Sequence, residues 1–419
     1  MMSSYVEFTE EMKKDYTILA PNMLPLQLSL VANVLRSEGY NIELLENSGP
    51  QIPETGLKYT HNDTCYPAIL VIGQFMDALL SGKYDLNKVA LIYFQTGGGC
   101  RASNYISLIR KALKNAGLGH IPVISFSFAG LEKHSGFKLS LSALHRIIYA
   151  VIYGDILFLL RNQCKPYELE KGAAQAMADK YCTLLEEKMR TDGVSFKKFK
   201  ANCRILLDAF AAIPRSNEKK VQVGIVGEIY VKFSPLGNNN LEQLLVDNGA
   251  EVTIPGLLDF FLYCVYNNIT DYKLYRKGRF RYPVLKFVYK YLIKKQQEII
   301  DLIKEHGVFR APGAFARTAE LIKSYMNHGC KMGEGWLLPA EMLELADSGV
   351  KNIVCTQPFG CLPNHICGKG MMKPIKDRNP DVNIVAIDYD ASASKVNQEN
   401  RIKLMLANAA EEEKTPAAV

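Results

Sequence analysis

Short apolar runs alternate with amphipathic stretches along most of this chain. Tyr16 to Ala20 (YTILA) has the continuous hydrophobicity of a strand buried on both faces, and a PNMLP loop follows. The stretch from Gln27 to Glu38 carries apolar residues at helical spacing, and Tyr40 to Leu45 (YNIELL) is apolar again. Strand, helix and strand in this order predict one βαβ unit, hence a parallel sheet covered by helices on both faces. The design restarts after a polar linker, Pro214 to Lys220. Val221 to Val226 predicts a strand, GEIYVKFSPLG a loop, Asn240 to Asn248 a helix and Ala250 to Ile254 another strand.

A second correspondence links the halves. Lys88 to Gln95 predicts a strand that runs into TGGGC, with a helix starting near Asn104 and a strand at Pro122 to Phe126. Lys351 to Gln357 predicts a strand that runs into PFGC, with a helix starting near His365 and a strand at Asn383 to Asp388. Cys100 and Cys361 therefore hold equivalent places, just past the carboxyl end of a strand, where open parallel sheets bind their ligands. The expected fold is α/β: two similar, doubly wound, flavodoxin-like domains facing a central cleft, with helical insertions. The boundary falls near 216, giving 1–216 with a helical insertion at about 140–213, and 217–419 with a long helix at about 280–306. In that helix Val284, Leu285, Val288, Leu292, Ile299 and Ile303 recur near a 3.6 period, and Pro283 suits its first turn.

A chain of 419 residues suits two domains. The first sixteen residues are too charged for a secretory leader, and no apolar run of transmembrane length is evident, so a cytoplasmic protein without membrane contact is expected. In that reducing setting the ten cysteines are core residues or metal ligands rather than disulfides. No CxxC pair occurs, which argues against a zinc ribbon or a thioredoxin-type site. No GxxxxGK[ST] loop occurs either, so ATP binding through a P-loop is not expected. The net charge of +7 comes largely from Lys273 to Lys295, too local to imply nucleic acid.

Three cysteines stand in ligand-type settings. Cys65 lies in HNDTCYPAIL, expected in the first turn of a helix capped by Asp63 or Thr64, where the helix dipole favours a thiolate. Cys100 follows Gly97, Gly98 and Gly99, and Cys361 follows Gly360. Glycine lets backbone approach closely and turn N–H groups toward an anion. Cys355, inside its strand, is a further candidate. Cys164, Cys330 and Cys367 lie at element ends and stay open. Cys182, Cys203 and Cys264 sit in helical apolar patterns and are expected in the core.

Taken together, HNDTCYPA, TGGGCRASNY, GEIYVKFSPLGNNNLE, GEGWLLPAEM and QPFGCLPNHICGKG resemble the 2-hydroxyacyl-CoA dehydratase family, in particular its activase-associated branch and the double-cubane cluster proteins. The likeness runs over roughly Tyr16 to Leu406. It implies a [4Fe–4S] or double-cubane [8Fe–9S] cluster between two α/β domains, with Cys65, Cys100 and Cys361 as ligands and Cys355 next. It implies a partner, an ATP-hydrolysing activase that donates low-potential electrons, and a homodimer. The electron would reduce or dehydrate a small substrate such as an acyl-CoA. Dehydratases usually pair two different subunits, whereas this single chain carries an internal repeat. A non-catalytic electron carrier and a metal-free small-anion binding protein are the alternatives.

Gly98, Gly99, Arg101, Asn104 and Gly360 are the expected cluster and cleft surroundings. His365 and Glu334 are candidate proton donors, against the plainer roles of a loop hydrogen bond and a helix cap ahead of Leu337. The basic stripe from Lys273 to Lys295 is either a solvated helix face or a docking surface for the activase or CoA phosphates.

Overall fold

A computed structural model describes residues 5–95, 99–126, 132–191 and 194–414. Two four-stranded, all-parallel sheets are present. The first comprises β1 (Thr17–Pro21), β2 (Asn41–Leu45), β3 (Val89–Phe94) and β4 (Val123–Phe126), in the order β2-β1-β3-β4. The second comprises β5 (Val221–Gly227), β6 (Ala250–Thr253), β7 (Asn352–Pro358) and β8 (Asn383–Tyr389), in the order β6-β5-β7-β8. The two orders are the same flavodoxin-like arrangement, and β3 and β7 are equivalent strands beside the switch point where the order reverses. Strand ends fall within about two residues of the sequence expectation.

The helices start where the local chemistry dictates. The helix Pro25–Ser37 begins at a proline, which suits a position whose N–H has no partner within the helix. The long basic helix is Tyr282–His306, with Pro283 in its first turn and Gly307 closing it at φ +76°. Helix Tyr66–Leu80 is apolar on almost every side and correspondingly buried on almost every side. Its Gly73 is packed so closely that an added Cβ would sit 2.0 Å from the Ile52 carbonyl oxygen.

The halves do not keep separate cores. One hydrophobic cluster holds Ile18, Leu30 and Ile124 of the first half together with Leu262, Trp336 and Ile353 of the second, joined through Tyr149, Tyr153 and Leu157. The joining element is Leu141–Cys164, the described helix long and apolar enough to cross a membrane, contrary to the sequence expectation that none exists. Its apolar window is 67% buried inside the protein, so its hydrophobicity has an internal use. Midway along it, half-buried Asp155 accepts from Gln27 and from the backbone N–H groups of Leu257 and Leu258, capping the helix Leu257–Tyr275.

Candidate metal centre

Cys65 stands at the N-cap of the helix Tyr66–Leu80, one position earlier than the sequence suggested, and neither Asp63 nor Thr64 is the cap. The Tyr66 N–H, free because it opens the helix, donates to the Phe359 carbonyl of the second lobe at 3.0 Å. Gly360 follows at φ +71°, and an added Cβ there would lie 3.1 Å from Cys65 Cα. Glycine is needed here for two separate reasons, the left-handed backbone and the close approach of the lobes. Gly333, also left-handed, sits against Pro363 and Cys100 Cβ, and Gly99 against the Met332 sulfur. Loops from both sheets thus bring Cys65, Cys100 and Cys361 to one place. Gly98 lies outside the described residues, as does Gly97.

The electrostatics show the same convergence. Burial pushes the Cys100 thiol up to about 12, and the charges of Glu334, Glu228 and Cys65 add to the push. Burial raises Cys361 further still, with Glu334, Glu228 and Cys100 contributing. Cys65 is raised by burial too, against the helix-dipole expectation of an acidified thiol. The Tyr105 hydroxyl, 3.0 Å from its sulfur, and the Ala68 N–H only partly offset the loss of water.

Two carboxylates complete the pocket. Glu228, directly past β5, caps the short helix Ile229–Phe233, with Oε2 accepting from the Val231 N–H at 2.9 Å. Glu334 is 6% exposed. Its Oε1 accepts from the Ile229 N–H at 3.0 Å, and its Oε2 is buried without a hydrogen-bond partner among the described residues. The helix-cap role expected ahead of Leu337 is taken by the Glu334 backbone carbonyl, which leaves the side chain for the pocket. Burial and the neighbouring Glu334 push Glu228 up to about 8, and burial raises Glu334 as well. The nearby ammonium of Lys232 is committed to Glu341, 3.0 Å away and equally buried.

The other expected site residues are less central. The Cys355 sulfur lies 3.7 Å from Asn364 Oδ1 and packs near Gly368. Burial pushes its thiol up to about 12, with Glu341 and Asp388 as the next contributors, not the three thiols of the pocket. His365 is exposed, and its Nδ1 is 2.6 Å from Gln357 Nε2, so the loop hydrogen bond accounts for it. Arg101 is exposed and donates to the Asp63 carbonyl, bracing the loop before Cys65. Asn104 is exposed at the start of the helix Tyr105–Asn115 and makes no capping bond. Cys182 and Cys203 are core residues, Cys264 is half-buried, and Cys330 is exposed.

Glu228, Tyr105 and Tyr93 were not singled out from the sequence. Tyr93 and Tyr105 stack with ring centroids 5.7 Å apart beside Cys65. The signal for Glu228 was available, because GEIYVKF follows a strand just as TGGGC and PFGC do. No signal marked Tyr105, whose role depends on a contact 40 residues away in sequence.

Among the described residues, no three His, Cys, Asp or Glu side chains are close enough to clasp a single metal ion. Three thiols and two carboxylates, all disfavoured as anions by burial, would gain stability from a cationic core, and its binding would release the thiol protons to solvent. The residues therefore fit an iron–sulfur cluster. No family model matches this chain, and no curated protein matches it.

Proposed function

We propose that the chain is an iron–sulfur protein that accepts low-potential electrons from an ATP-dependent activase and reduces or dehydrates a small substrate. An acyl-CoA is the substrate class the sequence resemblance implies. The observation that carries this reading is the approach of the loops bearing Cys65, Cys100 and Cys361, from strand tips and a helix cap of both lobes, with Glu228 and Glu334 beside them. The three thiolates would hold a [4Fe–4S] or double-cubane core, which when bound supplies one-electron chemistry. The Tyr105 hydroxyl beside the Cys65 sulfur would hydrogen-bond that ligand.

The carboxylate pair favours a catalytic site over a simple electron carrier. Burial and the neighbouring Glu334 raise the Glu228 carboxyl to about 8, so it holds a proton at neutral pH, and Glu334 Oε2 has no hydrogen-bond partner among the described residues. A carrier needs no proton store, whereas reduction takes up protons and loss of water needs one delivered to the leaving hydroxyl and one removed from carbon. Walls from both lobes would keep bulk water from the thiols.

Anaerobic purification followed by iron, sulfide and EPR analysis tests the proposal. A brown protein with a reducible signal that responds to activase and ATP is expected. A colourless protein with background iron would end the reading.

A further inference from the structure

We infer that the tip of the hairpin formed by the helices Leu257–Tyr275 and Tyr282–His306 is a docking surface for an acidic protein face, that of the electron donor. The inference rests on the function proposed above for its choice of partner. The surface itself rests on other observations. Residues 272–297 contain nine basic and no acidic side chains, more positive charge than the whole chain's net +7. Eight of the nine, Lys273, Arg276, Lys277, Arg279, Arg281, Lys286, Lys290 and Lys294, are exposed, and none is in an ion pair among the described residues.

The same tip exposes apolar surface that solvation alone does not explain. Phe280 is 92% exposed, Phe287 71% and Val284 62%, and Leu274 and Tyr275 add to them. Val284 and Phe287 share one face of the helix Tyr282–His306, beside a row of Lys286, Lys290 and Lys294, and Phe280 lies in the turn just ahead of it. An apolar stripe bordered by cations is the composition of a binding surface, with aromatic anchors to supply affinity and rim charges to speed encounter.

Contacts connect this tip to the thiol pocket. Lys331 pairs with Asp271 at the end of the first helix, and Gly329 packs against Leu274 and Tyr275. The Tyr263 hydroxyl is within hydrogen-bond distance of the Lys331 and Gly333 carbonyls, at 3.1 and 2.8 Å. Gly333 then touches Pro363 and Cys100, beside exposed Met332 and Leu362. A protein seated across this strip would meet the cationic tip first and cover the apolar rim of the pocket. A second copy of the chain is a poor occupant, because an isologous contact would set eight cations against eight. A lipid surface would engage the tip but has no use for its continuity with the pocket.

Sedimentation of the purified activase with the full chain, at several salt concentrations, tests this. The variants are R279E/K286E/K290E and, separately, F280S/F287S. Binding should weaken about tenfold or more in each, the salt dependence should flatten in the first, and reduction by titanium(III) citrate should proceed as in the wild type. Circular dichroism melting confirms that the variants fold. Unchanged affinity in the charge-reversed variant, or a wild type that does not bind the activase, would overturn the assignment. So would tip-dependent binding to phosphatidylserine vesicles without activase binding. Iron analysis is separate, so a chain without a cluster would defeat the proposed function while this assay still judged the surface.

Discussion

The two lobes share one sheet order but not one chemistry. Past β3 and past β7 each contributes a cysteine to the pocket, Cys100 and Cys361. At the next strand they diverge. The first lobe leaves β1 through an Asn22–Met23–Leu24–Pro25 loop, whereas the second leaves β5 through Glu228, which caps a short helix. The first lobe supplies Cys65 and the Tyr93–Tyr105 stack, and the second supplies both carboxylates. Repetition of a fold reproduces the place where ligands sit. The side chains at the loop tips, which the sheet does not constrain, decide what that place can do.

The largest effect is expected where the lobes agree. Cys100→Ser and Cys361→Ser should each bring iron and sulfide to background, whereas Cys355→Ser, with its sulfur against Asn364, should keep them. Full iron in either of the first two would break the equivalence, and iron analysis reads it directly.

Where the lobes touch, a backbone comparison sharpens the point. Gly82 and Gly360 are both left-handed, but only Gly360 has a neighbour, Cys65, within 4 Å of an added Cβ. Gly82→Ala should cost about 1 kcal/mol in urea denaturation and Gly360→Ala about 1–3 kcal/mol more, from strain plus overpacking.

The carboxylates beside the thiols come from the second lobe alone, and they carry a pH dependence of their own. Glu228 has a folded pKa raised to about 8, mainly by burial. Its contribution is fully present below the unfolded carboxylate range and is lost as pH rises to about 8, because the unfolded chain releases the proton first. Metal-free protein should therefore lose stability between about pH 5 and pH 8, and Glu228→Gln should flatten that slope in denaturant titrations. A slope unchanged by the substitution would remove Glu228 as its source.

Tyr105→Phe is the mildest change. It removes one hydrogen bond to the Cys65 sulfur, for a loss of about 1 kcal/mol in stability. It should also shift the midpoint of a redox titration while iron content stays whole. An unshifted midpoint would mean the hydroxyl does not reach the bound ligand.

Hydrophobic periodicity and strand-tip position determined much of this protein in advance. The eight strands, the repeat and the location of Cys65, Cys100 and Cys361 follow from patterns a few residues long, since period and chain punctuation act locally. Tertiary structure decided the rest. It set Cys355 against Asn364, gave His365 to Gln357, turned the Glu334 side chain away from its own helix and raised the Cys65 thiol that its helix alone would have acidified. Those outcomes depend on desolvation and on partners from distant segments, and neither is written in the neighbours of a residue along the chain.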